Sequence, residues 1–239
     1  MEIDQSPIIS GSEVQTTPSP PLEPWPNYRP QPGDAPRDCP LCPRLAEFRA
    51  ESITRNPGWW NAPVPGFGDP DAWLAITGLA PGMQGANRTG RPFTGDWAGI
   101  LLFDTLAKFG FSSGTYDARS DDGLQLHGTF ITNAVRCVPP QNKPLPTEIH
   151  TCRPFLVERL KTLPNLKVVI ALGQIAHQST IKALGGKLPK YPFGHNNLHR
   201  MPSGLILIDS YHCSRYNTNT GRLTAAMFEA VFESALEHQ

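Results

Sequence analysis

Four cysteines and one glycine-rich loop hold the residues most able to do chemistry. Cys39 and Cys42 form a C-x2-C pair, while Cys137 and Cys152 stand far along the chain with 14 residues between them. Thiolates two apart can chelate one metal centre, and four together complete a tetrahedral or cubane site. A structural zinc usually shows two tight pairs, so the wide second pair favours an iron–sulfur cluster modestly. The competing reading is four ordinary buried thiols. Cys213, between His212 and Ser214, reads as a buried thiol. The loop, Gly78–Asp96, runs GLAPGMQGANRTGRPFTGD, with five glycines, one aromatic residue, two arginines and a single carboxylate. Glycine lets backbone N–H groups approach a ligand closely, although a long surface turn would look similar.

The elements that must hold these residues follow from periodicity. Ala72–Thr77, Gly128–Val135, Lys167–Leu172 and Leu205–Ser210 are nearly continuous apolar runs and read as strands. Between and after them lie amphipathic helical patterns: one from Trp97 ended by Gly110, one from Thr147 to about Leu160 with Pro154 as a possible irregularity, Gly173–Leu184, and Thr224–Glu237. A further short helical pattern follows the C-x2-C pair, with Leu41, Leu45 and Phe48 on one face. Alternating strands and helices imply an α/β protein with a parallel sheet covered on both faces. Ligands in such sheets sit beyond the carboxyl ends of the strands. Three chemically rich segments fall there: the Gly78–Asp96 loop, Asn133, and YHCSRYNTNTG from Tyr211 to Gly221.

Composition sets the bounds. At 239 residues the chain suits one medium-sized domain. Residues 1–36 are Pro-rich and acidic with little apolar periodicity and are expected to be a disordered tail, leaving 37–239 as the domain. Basic and acidic residues number 21 each, but the first 38 residues hold six acids and two bases, so the remainder is mildly positive. That permits a nucleic-acid partner without requiring one. No apolar run approaches membrane-spanning length and no signal-peptide pattern opens the chain, so no membrane partner and a cytoplasmic location are expected. An odd cysteine count in that setting argues against a disulfide framework.

The segments GLAPG (Gly78–Gly82), NRTGRPFTGD (Asn87–Asp96), ITNAVRC (Ile131–Cys137), CVPPQNKPLP (Cys137–Pro146) and HCSRYNTNTGRLT (His212–Thr224) together resemble the uracil-DNA glycosylase superfamily, and most closely its fifth family, the type-B enzymes with an iron–sulfur cluster. The resemblance runs from about Cys39 to the C-terminus. It implies a three-layer α/β/α sandwich around a four-stranded parallel sheet. It also implies a [4Fe-4S] cluster on Cys39, Cys42, Cys137 and Cys152 that braces the N-terminal segment and the Pro-rich loop Val138–Pro146, and a monomer acting on DNA that contains uracil or another deaminated base such as hypoxanthine. Such an enzyme flips the damaged nucleotide into a pocket and hydrolyses its glycosidic bond.

The resemblance assigns roles residue by residue. Phe93 is the stacking platform and Asn133 the reader of the base edge, with Gly78 and Ala80 beside them in the base pocket. His212 is the donor toward charge building on the departing base. Ala80 stands where the first-family enzymes carry a water-activating aspartate, which leaves Asp96, the loop's one carboxylate, to position water or stabilise the sugar. Asp96 also suits an N-cap for the helix beginning at Trp97, and both roles can hold. Asn217 is expected to help the water or backbone, Lys143 and Ser214 to contact phosphate, and Tyr216 or Arg215 to serve at the gap or the backbone. No lysine occupies a motif position, which argues for a monofunctional enzyme without Schiff-base lyase chemistry. The alternative, suggested by Ala80, is an iron–sulfur module that binds damaged DNA without cleaving it.

Overall fold

The computed structural model describes residues 31–239. In chain order the elements are α1 (Pro43–Arg55), β1 (Phe67–Gly68), β2 (Leu74–Gly78), α2 (Ala86–Thr89), α3 (Trp97–Lys108), β3 (Ser112–Ser113), β4 (Gln125–Leu126), β5 (Thr129–Asn133), α4 (Pro146–Lys161), β6 (Val168–Leu172), α5 (Gln174–Ala183), β7 (Leu198–Arg200), β8 (Ile206–Ser210), α6 (Arg215–Asn219) and α7 (Ala225–Leu236). The four apolar runs are the four buried strands β2, β5, β6 and β8, and they pair in parallel in the order β5-β2-β6-β8. The sheet is larger than the four strands expected. β1 and β7 add antiparallel edges, and β3 with β4 forms a separate two-stranded sheet. These additions are two or three residues long, too short to leave a periodic signal.

Strand alternation divides the core. Leu74, Ile76, Ile131, Ile170 and Ile208 face α3 and α7 through Leu102, Leu106, Phe228 and Phe232. Ala75, Phe130, Val169, Ala171 and Leu207 face α4 and α5 through Leu156, Leu160, Ala176 and Ile181. Each strand thus buries both faces, which is why it reads as a continuous apolar run. Helix α4 continues through Pro154 without a break. No helix among the described residues is long and apolar enough to cross a membrane.

The expected tail lies outside the described residues except for 31–36. There the Asp34 carboxylate meets Arg159 of α4 at 3.0 Å with both side chains buried, and Gly66 N–H donates to the same acid. A second polar anchor joins elements distant in sequence. Asp209, at the end of β8, accepts from His177 Nδ1 of α5 at 2.5 Å and from His199 Nε2 of β7 at 2.9 Å, while Gly194 N–H reaches it at 3.3 Å. His177 and His199 are both buried. Buried around Asp209, they form the one group of three metal-capable side chains among the described residues whose ligand atoms all lie within 4.8 Å of one another. Each Asp209 oxygen already has its hydrogen bonds, so this is a satisfied polar knot in the core.

Candidate active site

A cavity of about 380 Å³ opens at the carboxyl edge of the sheet, within the usual size range of small-molecule sites. Three connections build it. The β2–α3 loop supplies Leu79, Ala80, Pro81, Gly82, Phe93 and Asp96; β5 ends on Asn133; and the segment after β8 brings His212, Ser214 and Arg215. Strands β2 and β6 send their following connections to opposite sides of the sheet, which is the arrangement that leaves a crevice between their ends.

The β2–α3 loop is held away from a random turn. Its short helix α2 ends on Gly90 at φ 77°, Asn87 N–H donates to Gly82 O, and the buried Asn87 amide donates to Asn61 Oδ1 at 3.0 Å. Arg91 locks the far side through two 2.7 Å bonds to Asp122. Burial alone would raise the Asp122 carboxyl, but that guanidinium and the Asp117 and Leu124 N–H groups hold it down at about 2. The locked loop then carries Phe93 in the left-handed region at φ 54°, an uncommon conformation for a bulky residue and one that clusters at functional sites. A Cβ on Gly78 would lie 2.4 Å from Asn133 Oδ1 and 2.6 Å from Phe93 Cζ, so glycine there is what lets ring and amide converge. Gly78 and Asn133 are direct register partners in β2 and β5.

Asp96 caps α3, with Oδ1 accepting from Gly99 N–H at 3.2 Å, and it also lines the cavity. A Cβ on Gly85 would come within 2.6 Å of Asp96 Oδ2, so the loop has cleared space for the acid. Burial raises the Asp96 pKa, opposed in part by the N–H groups of Gly99 and Ala98. His212 faces Phe93 with near-parallel rings, centroids 6.1 Å apart. Burial lowers its pKa to about 4, so the imidazole is neutral at physiological pH. Its Nδ1 is buried without a hydrogen-bond partner among the described residues.

Gly78, Ala80, Phe93, Asn133, Asp96, His212, Ser214 and Arg215 therefore come together. Asn217 does not line the cavity; its amide donates to the His212 carbonyl at 2.8 Å, and its N–H is accepted by the Ser214 hydroxyl that caps α6. Tyr216 is 72% exposed on α6 and does not line the cavity either. Lys143 also stays outside, but its neighbour Asn142 stands on the rim. Sequence reasoning passed over Asn142, which sits in a loop without periodicity, and Trp97, the exposed first residue of α3. The Trp97 indole donates to Thr218 Oγ1 at 3.0 Å and lies 5.3 Å from the Arg215 guanidinium.

Cys39, Cys42, Cys137 and Cys152 line a second, smaller cavity with Arg49, Arg136 and Leu45. Arg49 donates to Cys137 Sγ at 2.9 Å and to Cys39 O at 2.8 Å, and Arg136 N–H donates to Cys152 Sγ at 3.3 Å. Burial raises the thiols of Cys42 and Cys152 and pushes Cys137 up to about 12. Cys213 is fully buried in the main core, apart from these four, and its thiol is raised by the same cause.

The cavity thus gathers an aromatic ring, an amide, a neutral imidazole and a half-buried acid. Residues 65–236 match the family model of the uracil DNA glycosylase superfamily. A type-5 uracil-DNA glycosylase of Thermus thermophilus is 45% identical over 202 residues, 82% of this chain and 92% of the relative. The type-5 enzyme of Pyrobaculum aerophilum is 38% identical over 83% of this chain and 88% of the relative. A type-4 uracil-DNA glycosylase of the same organism is 31% identical over 64% of this chain and 65% of the relative. With a model match across nearly all of the sheet and identity extending over most of both chains, this protein belongs to the uracil-DNA glycosylase superfamily.

Proposed function

We propose that the protein removes uracil from DNA by hydrolysing the N-glycosidic bond, as a DNA-repair glycosylase. The observation that carries this is the convergence of Phe93, Asn133, Asp96 and His212 on one cavity beyond the strand ends. A flipped base entering there stacks on the Phe93 ring, and the Asn133 amide, with both donor and acceptor, reads its edge. As the bond breaks, charge builds on the departing base. A neutral His212 N–H donates to it, and a preorganised donor of this kind lowers the barrier by about 3–4 kcal/mol. Asp96, ionised, faces the cation-like sugar and holds the water, with the Asn142 amide on the same rim as a second polar partner for it. Asn217 sets the position of His212 through its carbonyl. Ser214 and Arg215 suit phosphate contacts at the mouth.

Ala80 in place of a longer side chain leaves room in the pocket, and this supports acceptance of larger deaminated bases such as hypoxanthine. No lysine among the described residues lines the cavity, which supports a monofunctional reaction without a Schiff-base step.

For the four cysteines we propose a [4Fe-4S] cluster. The donor set fits: four thiols line one buried cavity, and burial raises the pKa values of Cys42, Cys137 and Cys152, so those three ionise only with a cation beside them. When bound, the cluster supplies structural cross-linking of α1, the Cys137 segment and α4 and takes no part in bond cleavage.

The deciding experiment measures free uracil released from a labelled duplex by pure, metal-loaded protein, with His212→Ala and Asp96→Ala beside it. Release that falls in both variants supports the enzyme. Binding of uracil-containing DNA with no release by wild type overturns it in favour of a non-catalytic damage-binding module.

A further inference from the structure

The cavity rim at Asn142 is built from an unusual backbone. Gln141 and Asn142 are consecutive non-glycine residues in the left-handed region, at φ 55° and 56°. Such a pair persists only where its surroundings enforce it. Part of the enforcement is local, since Asn142 N–H donates to Pro139 O and Lys143 N–H to Pro140 O, each at 3.1 Å. The rest comes from a side chain about a hundred residues away. Arg44, in the first turn of α1 and two residues beyond Cys42, donates from Nη2 to the Lys143 carbonyl at 3.2 Å. The same guanidinium grips the Glu148 carboxylate through Nε at 2.8 Å and Nη2 at 2.7 Å, and Glu148 in turn accepts from Leu145 N–H at 2.7 Å. One arginine–carboxylate pair therefore fastens the chain at positions 143 and 145, directly after the tip.

We propose that Arg44 is a positioning residue for the glycosylase reaction: through Glu148 and the Lys143 carbonyl it hangs the Asn142 rim of the base cavity from the Cys39–Cys42 segment. The inference rests on the glycosylase reading. Arg44 lines neither the base cavity nor the cysteine cavity. Its side chain is 36% exposed, and partly exposed pairs contribute little to global stability. Its geometry is nonetheless bidentate and specific, which is the property that matters for aim. This also gives the distant cysteine segment a physical route to the chemistry, because the α1 end of the clamp starts at Cys42 and the Glu148 end lies on the helix that carries Cys152.

The test uses metal-loaded full chain in single-turnover excision of uracil from a duplex, with amide hydrogen exchange over residues 138–145 measured in parallel. Arg44→Ala is expected to keep its metal content, to speed exchange at residues 141–145, and to slow excision by about tenfold to a hundredfold, the scale of an ångström-level misplacement. Combined with Asn142→Ala it is expected to be no slower than Asn142→Ala alone, because both changes remove the same contact. Glu148→Gln, which keeps an acceptor for Leu145 N–H but loses the charge pair, is expected to follow Arg44→Ala and serves if that variant loses its metal. Wild-type excision in Arg44→Ala, wild-type excision in Asn142→Ala, unchanged exchange in the loop, or losses that multiply in the double variant would each overturn the clamp. Failure of the glycosylase reading shows separately, as absence of uracil release by wild type.

Discussion

His212 and Asp96 are shifted in opposite directions by one cause. Burial disfavours charge, so it holds His212 neutral down to about pH 4 and makes Asp96 harder to ionise than a free carboxyl. The proposed chemistry calls for a neutral donor and an ionised acid, and on that proposal the acid limb of activity belongs to Asp96, not to the histidine. We expect the rate to fall on acidification at a pH higher than a free aspartate would set, and that limb to vanish in Asp96→Asn. A limb near pH 6.5 that disappears with a His212 substitution would refute the assignment. Stability falls in the same direction: because burial depresses the His212 pKa, its contribution is full above about pH 6.5 and is lost as pH falls towards about 4. Nuclear magnetic resonance titration of the His212 ring should give that low midpoint. Asp96→Asn also separates the acid's two roles, because asparagine is an equally good N-cap. Melting temperature should stay within a few degrees of wild type while single-turnover excision drops by about a hundredfold or more. Equal loss of both would make Asp96 a helix cap alone.

At the scale of elements, the site depends on how β8 is held, since His212 follows it by two residues. The Asp209 knot binds β8 to α5 and β7. Removing that carboxylate strands two buried histidines and the Gly194 N–H. Asp209→Ala should cost about 3 kcal/mol in urea denaturation, in the range for breaking one partner of a buried charged network. A change below about 1 kcal/mol would mean the knot is dispensable. The strands themselves were readable because burial on both faces writes continuous apolar runs into the sequence. The edge strands β1 and β7 were not, since two- and three-residue strands are made by their neighbours and not by their own pattern. Asn142 escaped for a related reason: its place on the rim comes from left-handed backbone and a remote arginine, neither of which leaves a local signature.

For the molecule as a whole, Cys42, Cys137 and Cys152 pack with Leu45 and Val135 in a third small core where α1, the Cys137 segment and α4 meet. Cys39→Ser and Cys152→Ser should each abolish the visible absorption of an iron–sulfur cluster and lower the melting temperature, with iron and acid-labile sulfide present in equal amounts only in wild type. Stoichiometric zinc in a colourless wild-type protein would refute the cluster. The Asp34–Arg159 pair adds a further fastening of the N-terminal segment to α4, independent of the cysteines.

The sequence by itself determined the parallel four-stranded heart, the strand-end placement of Phe93, Asp96, Asn133 and His212, and the grouping of four cysteines. It could do so because burial, glycine spacing and thiol spacing are local properties of the chain. Only the tertiary structure decided that Asn217 sits behind His212, that Asn142 and not Lys143 stands on the rim, and that Tyr216 does not line the cavity. It alone revealed the Asp209 knot and the Arg44 clamp. Those facts depend on which atoms meet in space, for the Arg44 clamp across about a hundred residues of chain, and no pattern of residue types along the sequence encodes a meeting of that kind.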